Sequence, residues 1–536
     1  MNYLYTYKEI ISLILLISPI AFLGTSLVSW FQPGLRPHFV KRLATSSVLV
    51  SIFLAAICGF FVFRQGMLES PFWGLYGIGF SIRLDALSLL MFTMISIIGF
   101  VVVKFSNNYL DGDANQGRFI GRLAATLASV QLLVVSGNLG ILLISWIFTS
   151  ISLHRLLVFY SDRPGAIVAA RKKFIVARLA DACLLIAFGI LYFQFNTGNF
   201  ESIFRQIDSG AISSSLELAA ILIALAAFLK SAQFPTHGWL IEVMETPTPV
   251  SALLHAGLLN AGPFLLIRMA HLMEVSSYAP VLIIIVGGFT ALFASSAFLT
   301  QTSIKTSLGY SSVAHMGFSL LVCGVGAYSV ALLHLVAHSF YKAHAFLSSG
   351  SIIEVMRISK IKSSKRTGSI IKIILSIILA TFLFTVIAFV WGVDLTKDIS
   401  LLLVGGVIVM GLSTLFATAM DSNESNFTAL FRTSILASIV TVSFLTLESG
   451  SSLLLKSQLP QTSGISSLEI TMFIILLIAF GAAAIIQILA PALSVKPSYR
   501  RIAIHLRNGF YANAIFDRIT NALNVEGKKD IISKNY

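Results

Sequence analysis

Runs of about 20 apolar residues, the length needed to cross a bilayer as a helix, recur along the whole chain between short polar connections. By that length rule there are roughly 15 of them. They lie near residues 9–30, 43–64, 84–106, 120–137, 139–160, 174–194, 216–234, 250–272, 279–300, 306–326, 327–352, 372–392, 400–420, 431–448 and 470–493. In lipid a backbone must satisfy its own polar groups, so such runs are helices. The expected fold is an all-α, polytopic membrane protein with one continuous membrane domain over residues 1–494. Not every run is clean. Lys230 interrupts the run 216–234, and Pro235 follows five residues later. Pro247, Pro249 and Pro263 flank or punctuate the run 250–272. Proline removes a backbone donor and frees carbonyls that need other partners, so these positions predict broken helices. Residues 216–272 hold a lysine-bearing helix, a break and a histidine-bearing helix; residues 301–350 loosely repeat that order, with a break predicted over 301–317. Weak internal symmetry with interrupted helices suggests inverted repeats around an ion site at the bilayer midplane. Two polar stretches stand apart: a Lys/Ser-rich loop at 354–371 and the tail 495–536. In the tail Ile502, Ile504, Leu506, Phe510, Tyr511, Ile515 and Phe516 could line one side of an interfacial helix or dock a soluble partner.

Composition agrees with this pattern: 56% of the chain is hydrophobic and 11% charged, which suits no soluble globular domain. The first run has Tyr and Glu before it and no small-residue cleavage site, so it reads as a span, not a leader. The formal charge is +14. Its distribution argues against a nucleic-acid partner, because the excess follows alternate loops, as cytoplasmic loops do. One set carries Arg36, Lys41 and Arg42; Arg118 and Arg122; Arg163, Arg171, Lys172 and Lys173; Arg357, Lys360, Lys362, Lys365 and Arg366; and Arg500, Arg501 and Arg507. The other carries Arg64, Arg83, Arg205, Lys397 and Lys456. This bias predicts an N-terminus outside, a C-terminus in the cytoplasm and an odd span count. Cys58, Cys183 and Cys323 fall in separate apolar runs, without metal-binding or disulfide spacing.

Charge inside the apolar runs is the candidate chemistry. A charged side chain at bilayer depth is costly and usually faces an interior path. Lys230 lies too deep in its run for easy escape to the interface, and an amine taken out of water can load and unload a proton. His255 is in the next run. His334, His338 and Lys342 follow at i, i+4 and i+8, one slowly rotating polar stripe on a helix. Lys305, Tyr310 and His315 begin the run 306–326 and could continue a path towards Lys342. Three readings of the stripe remain open: a proton or cation path, inert polar packing, and metal or haem ligation. Against ligation, no Glu or Cys completes the set and a neighbouring ammonium would repel a metal ion. Arg178 and Asp181, three residues apart, can form an intrahelical ion pair, and Asp85 reads as an interfacial or structural carboxylate. No Gly-rich nucleotide loop, Ser-His-Asp set or iron–sulfur cysteine set is visible, so no cofactor is expected in this chain. Energy should then come from an ion gradient.

The blocks FLKSAQFPTHGWLIEVMETPTPVSALLHAG, SIKTSLGYSSVAHMG and HSFYKAHAFLSSGSI resemble the proton-translocating subunits of NADH:quinone oxidoreductase and of multisubunit Na⁺/H⁺ antiporters. The text HRLLVFYSDRPGAIVAARKKFIVARLADACLLIAF and the variant LLHAGLLNAGPFLLIRMAHLM look more like the DabB branch, the membrane subunits of inorganic-carbon accumulation complexes. Neither the lateral helix of the large respiratory subunit nor the extra C-terminal spans of the antiporter subunit is seen, which fits that branch. The resemblance implies a multi-pass protein of a bacterial cytoplasmic membrane, conducting protons or Na⁺. It also implies a soluble, zinc-bearing DabA partner on the cytoplasmic side, resembling a β-carbonic anhydrase, where ion flow would drive carbon dioxide hydration to bicarbonate. It casts Lys230, His255, His334, His338 and Lys342 as the ion relay. Two family positions lack a match. Where respiratory members have Trp-Glu, this chain reads Ser145-Trp146-Ile147; and residues 373–392 carry no charge, although Lys397 with Asp394 and Asp398 follows. Two rivals remain: a respiratory or antiporter subunit, and an inert membrane anchor for a catalytic partner.

Overall fold

The computed structural model describes residues 2–160, 163–210, 213–243, 246–349, 370–394, 398–421, 426–460, 464, 466–493 and 496–520. Most of the Lys/Ser-rich loop at 354–371, Lys397 and the end of the tail lie outside the described residues. Within them the chain is a helical, multi-pass membrane protein. Each of the fifteen predicted runs is helical over most of its described residues. Among the described residues eleven helices are long and apolar enough to cross a membrane. The other four runs form Gln116–Val134 (α5), Ser214–Lys230 (α9), Ile304–Gly324 (α15) and Tyr328–Leu347 (α16), which are shorter or more polar. Two of these four carry the candidate charges Lys230 and Lys342, so the departure from an ideal span coincides with the chemistry.

The helices that frame the site are Ala86–Tyr109 (α4), Leu139–Leu157 (α6), Pro164–Phe195 (α7), the short Phe200–Asp208 (α8) and Gly238–Glu242 (α10). They are joined by Thr248–Ala256 (α11), Ala261–Arg268 (α12), Ala270–Glu274 (α13) and Ala279–Phe298 (α14). Local sequence sets several starts. Asp85 caps α4 by accepting from the Ser88 amide at 2.9 Å, and Asn138 caps α6 by accepting from Gly140 at 2.9 Å. Side-chain acceptors of this kind satisfy amides that a helix start leaves unpaired. Between Leu68 and Leu84 lie two short antiparallel ladders, β1 with β4 (Leu68–Glu69, Arg83–Leu84) and β2 with β3 (Trp73–Leu75, Ile78–Phe80).

The segment Thr248–Arg268 is the hub. It is buried along its whole length and packs on α4, α6, α9, α15 and α16. Ser467–Leu493 is its opposite: only 6% of its most apolar window is buried, so its apolar surface is left for lipid. Residues 370–455 carry a smaller separate core of Ala380, Leu412, Phe416 and Ala437.

The breaks differ in detail from the expected ones. Helix α9 stops at Lys230, four residues before the end of the predicted run 216–234. Ala232 there adopts the left-handed conformation (φ 52°), and the Gln233 amide donates back to the Phe228 carbonyl at 3.2 Å. This is the six-to-one closure of a helix C-terminus, with alanine where glycine is usual. The Phe234–Pro235 bond that follows is cis. Pro247 and Pro249 stand at the start of α11 and begin it, as proline can. The interruption lies instead at Gly257 and the 3₁₀ turn Leu258–Asn260 that follows it, between α11 and α12. Pro263 accounts for it. A proline ring displaces the carbonyl four residues back, which is that of Leu259, and the Ser231 hydroxyl donates to it at 2.9 Å. The break predicted over 301–317 is not found. Ile304–Gly324 is one continuous helix, and only the residues before it are irregular.

Candidate ion-translocation site

Lys230 ends α9 pointing at α6, and its ammonium is fully engaged. Its Nζ donates to the Trp146 carbonyl at 3.1 Å, the Thr149 hydroxyl at 3.0 Å and the Ser150 hydroxyl at 2.8 Å, 4.3 Å from the Trp146 ring centroid. Three donors thus meet three oxygens of one helical turn. The turn is the one whose text lacks the family's acid: in place of a carboxylate, Lys230 finds hydroxyls and a ring face.

A second lysine reaches the same turn. Lys173 Nζ donates to the Ser150 carbonyl at 2.7 Å. Read from sequence, Lys172 and Lys173 were loop charges of the basic face. The structure places both on α7, with 0% and 5% of each residue exposed. The sequence signal for them was their position at the head of an apolar helix, one and two turns before Arg178 and Asp181. The Arg178–Asp181 pair forms, with Nη2 and Oδ2 at 2.6 Å. It is not insulated from the lysines: the Asp181 carboxylate lies beside Trp146 and within electrostatic reach of Lys230 and Lys173. A cavity of ≈ 20 Å³, room for about one water, touches Ser150, Lys173, Lys230 and Trp239 and is closed by Leu254, Leu258 and Leu259 of the hub.

On the far side of the hub a second cluster forms. His315 of α15 joins the stripe of α16, its ring 5.2 Å from His334 and 4.9 Å from His338, while His334 and His338 are 5.9 Å apart. His255 is completely buried and stacks on Phe346 at 4.3 Å. Both ring nitrogens of His255 and of His338 have no hydrogen-bond partner among the described residues. Lys342, completely buried, donates to the Leu308 carbonyl at 3.3 Å. Asn260, in the 3₁₀ turn, donates to the Ser339 hydroxyl at 2.7 Å and ties the break to the stripe. Lys305 is not brought to this cluster: it stands in the first turn of α15, with no hydrogen bond or ion pair to the described residues. Among the described residues no group of three or more His, Cys, Asp or Glu is disposed to hold a metal ion. The three cysteines are free, Cys58 and Cys323 buried and Cys183 half-buried. Lys372, at the start of Ile370–Trp391, pairs with Asp421 at 2.7 Å and is the charge nearest the unmatched position.

A third charged centre was only partly legible. Asp85 is completely buried between two arginines: Arg83 Nε donates to it at 2.8 Å, and Arg268 Nη1 and Nη2 at 2.5 and 3.2 Å. Arg268 closes the hub helix and so anchors it to the start of α4. Glu201 of α8 completes the set through Arg83 at 3.0 Å. An acid with two arginines is a structural clasp: each charge offsets the burial of the others.

The geometry amounts to two buried cationic clusters on either side of one broken, buried helix. The family model described as "NADH:quinone oxidoreductase/Mrp antiporter, TM" matches residues 136–393, the stretch that carries both clusters. The model for the N-terminus of chain 5 of complex I matches residues 73–120. The probable inorganic carbon transporter subunit DabB2 of Halothiobacillus neapolitanus is 40% identical over 385 residues, covering 70% of this chain and 69% of the relative. The corresponding DabB subunit of Hydrogenovibrio crunogenus is 42% identical over 317 residues, 58% of this chain and 60% of its own length. The chloroplastic NAD(P)H-quinone oxidoreductase subunit 5 of Nandina domestica is 38% identical over 52% of this chain and 39% of its own length. Among solved structures, the Mrp complex from Dietzia sp. DQ12-45-1b superposes with a TM-score of 0.64 at 20% identity, over 96% of this chain and 60% of that one, a likeness of fold. On the extent and identity of these matches, the chain belongs to the DabB family of inorganic carbon transporter subunits, built on the membrane scaffold that family shares with NADH:quinone oxidoreductase and Mrp antiporters.

Proposed function

We propose that this chain is the cation-conducting membrane subunit of an inorganic-carbon accumulation complex, and that it uses an ion gradient to drive a soluble carbonic-anhydrase-like partner. The observation that carries the reading is the pair of lysines inside the membrane domain, half-buried Lys230 and fully buried Lys342, standing on opposite sides of the interrupted helix Thr248–Arg268. Each ammonium is held by oxygens of a single neighbouring helix. Neither makes a direct ion pair with a carboxylate among the described residues. A proton can then leave without breaking a salt bridge. Between them the leucines of the hub separate the two polar clusters, and the free ring nitrogens of His255 and His338 offer sites for a proton in passage. The ion is read as a proton, because lysine and imidazole carry protons and are poor ligands for Na⁺, which prefers oxygens.

The partner is the DabA-like zinc protein that the family resemblance implies, bound on the cytoplasmic side, where hydration of carbon dioxide would take place. This chain contributes the drive and no hydration chemistry. Its relatives' names support the carbon assignment, and the chloroplast subunit 5 match keeps a respiratory role as the alternative outcome. The test is Lys230→Ala in a strain that depends on this system for growth in air. Growth at low carbon dioxide should be lost with the protein still in the membrane. Normal growth of a well-expressed variant would refute the role. Isolation of the complex should bring down a zinc protein; a set of respiratory subunits in its place would establish the alternative.

A further inference from the structure

The described part of the C-terminal tail is not one continuous helix. It forms Pro497–Arg507 (α21) and Ala512–Thr520 (α22), separated by a turn at Gly509–Tyr511. Of the seven tail residues that could line one side, Ile502, Ile504, Phe510, Tyr511 and Ile515 are about half exposed and Leu506 and Phe516 half-buried, which leaves an apolar surface open to a membrane surface or a partner. The polar residues dock instead. Asn513 accepts from Lys172 Nζ at 3.1 Å and donates to Glu242 at 2.5 Å, while Lys172 pairs with Glu242 at 2.6 Å and with Asp517. Lys172 is completely buried there, and the two carboxylates keep 26% and 11% of their side chains in contact with solvent. The fit is close: a Cβ on Gly238 would come within 1.9 Å of Asn513 Oδ1. Gly509 packs against the Tyr310 hydroxyl, and Phe510 against Phe293, over the irregular segment that follows Lys230.

Lys172 adjoins Lys173 in sequence, and Lys173 shares Ser150 with Lys230. Glu242 ends the short helix α10, whose Trp239 borders the cavity between Lys173 and Lys230. The Trp239 indole nitrogen, in a residue 2% exposed, has no hydrogen-bond partner among the described residues. The docked tail and the lysine cavity therefore meet on the two sides of α10. We propose that Lys172, Glu242, Asn513 and Asp517 form a proton-exchange station at the mouth of the Lys173–Lys230 path, and that the chain's own C-terminal helix completes it. Glu242 is its water-facing member, Asp517 a nearly buried one and Lys172 its dry one. A partner that shifts the tail would then change the rate of ion entry without touching the membrane interior. This inference rests on the reading of Lys230 as part of a cation path.

The test is proton flux into liposomes holding the isolated complex, driven by an imposed pH gradient in sodium-free choline buffer. Glu242→Gln and Asp517→Asn should each lower flux at least tenfold, as Lys230→Ala does, with thermal midpoints near that of the parent. Ile519→Ser, on the exposed side of the tail, should leave flux unchanged. Gly238→Ala should expel Asn513 and, in a cysteine-free background, speed modification of Lys173→Cys by a small cationic thiol reagent. Parent-like flux in both carboxylate variants, with flux abolished in Lys230→Ala, would overturn the station and leave the path standing. Parent-like flux in Lys230→Ala would overturn the path itself. Equal labelling with and without Gly238→Ala would overturn the tail's place at the mouth.

Discussion

A lysine held by hydroxyls and a carbonyl is chemically different from one held by a carboxylate. The missing acid beside Trp146 left open what Lys230 would pair with; the answer is Thr149 and Ser150, one turn further along the same helix. Ser150 is the sensitive residue because two lysines use it, one at its hydroxyl and one at its carbonyl. Ser150→Ala removes only the first contact. A hydrogen bond to a charged group is worth about 1.5–3 kcal/mol, so flux should fall roughly tenfold or more while the Lys173 contact and the membrane level persist; flux within twofold of the parent would deny Ser150 this role. The Asp85 clasp makes a contrasting prediction. Asp85→Asn leaves Arg268 buried without its counter-charge and Arg83 with Glu201 alone, a loss of about 3–5 kcal/mol. It should lower the melting midpoint and yield of the purified protein, and a midpoint equal to the parent's would show that the clasp is not structural.

At the scale of the element, the interrupted hub is where local rules and packing meet. Pro263 frees the Leu259 carbonyl, Ser231 takes it up, and Asn260 bridges to Ser339. The break is therefore fastened on both sides, to the end of α9 and to the histidine stripe. Pro263→Ala restores an amide donor and removes the ring, which allows the helix to continue. Uptake should drop with insertion intact, and unchanged uptake would mean that the break is incidental. The stripe behaves as a unit as well. His315, His334 and His338 are mutual neighbours, so alanine substitutions there should be non-additive: the His334/His338 double variant should lose no more activity than the worse single one. Multiplicative losses would point to independent packing roles.

Over the whole molecule the two faces of the membrane domain are distinguishable. The tail, the start of α7 and residues 301–303 share one face; α8, Glu201 and the short β ladders share the other, at the far end of the 32-residue helix α7. From the bias of the basic loops we propose that the first face is the cytoplasmic one. Reporters fused at residue 208 and after residue 510 should then read outside and cytoplasmic, and the reverse would move the partner to the other side. The energy source is testable at this scale too. One charge moving down 100 mV releases about 2.3 kcal/mol, and tenfold accumulation requires about 1.4 kcal/mol. An uncoupler should abolish bicarbonate accumulation with ATP held constant; accumulation that survives it would exclude gradient coupling.

Some of this was fixed along the chain. Span positions follow from lengths of apolar sequence, the charge bias between loops from counting, and the His334–His338–Lys342 stripe from the helical repeat; each depends on residues within a few turns of one another. Pro263 and Pro235 announced interruptions for the same reason, though not their positions. The rest needed contacts between distant segments. Lys172 and Lys173 look like loop charges until α7 is seen to bury them, and His315 enters the cluster only because α15 lies beside α16. The tail's apolar spacing allows a membrane-surface or partner-binding helix but does not reveal that its polar residues Asn513 and Asp517, 341 and 345 residues after Lys172, fasten it to the membrane domain. A hydrophobic repeat states which residues can avoid water; which polar groups meet once they have done so is decided by the packing of helices that the local pattern does not encode.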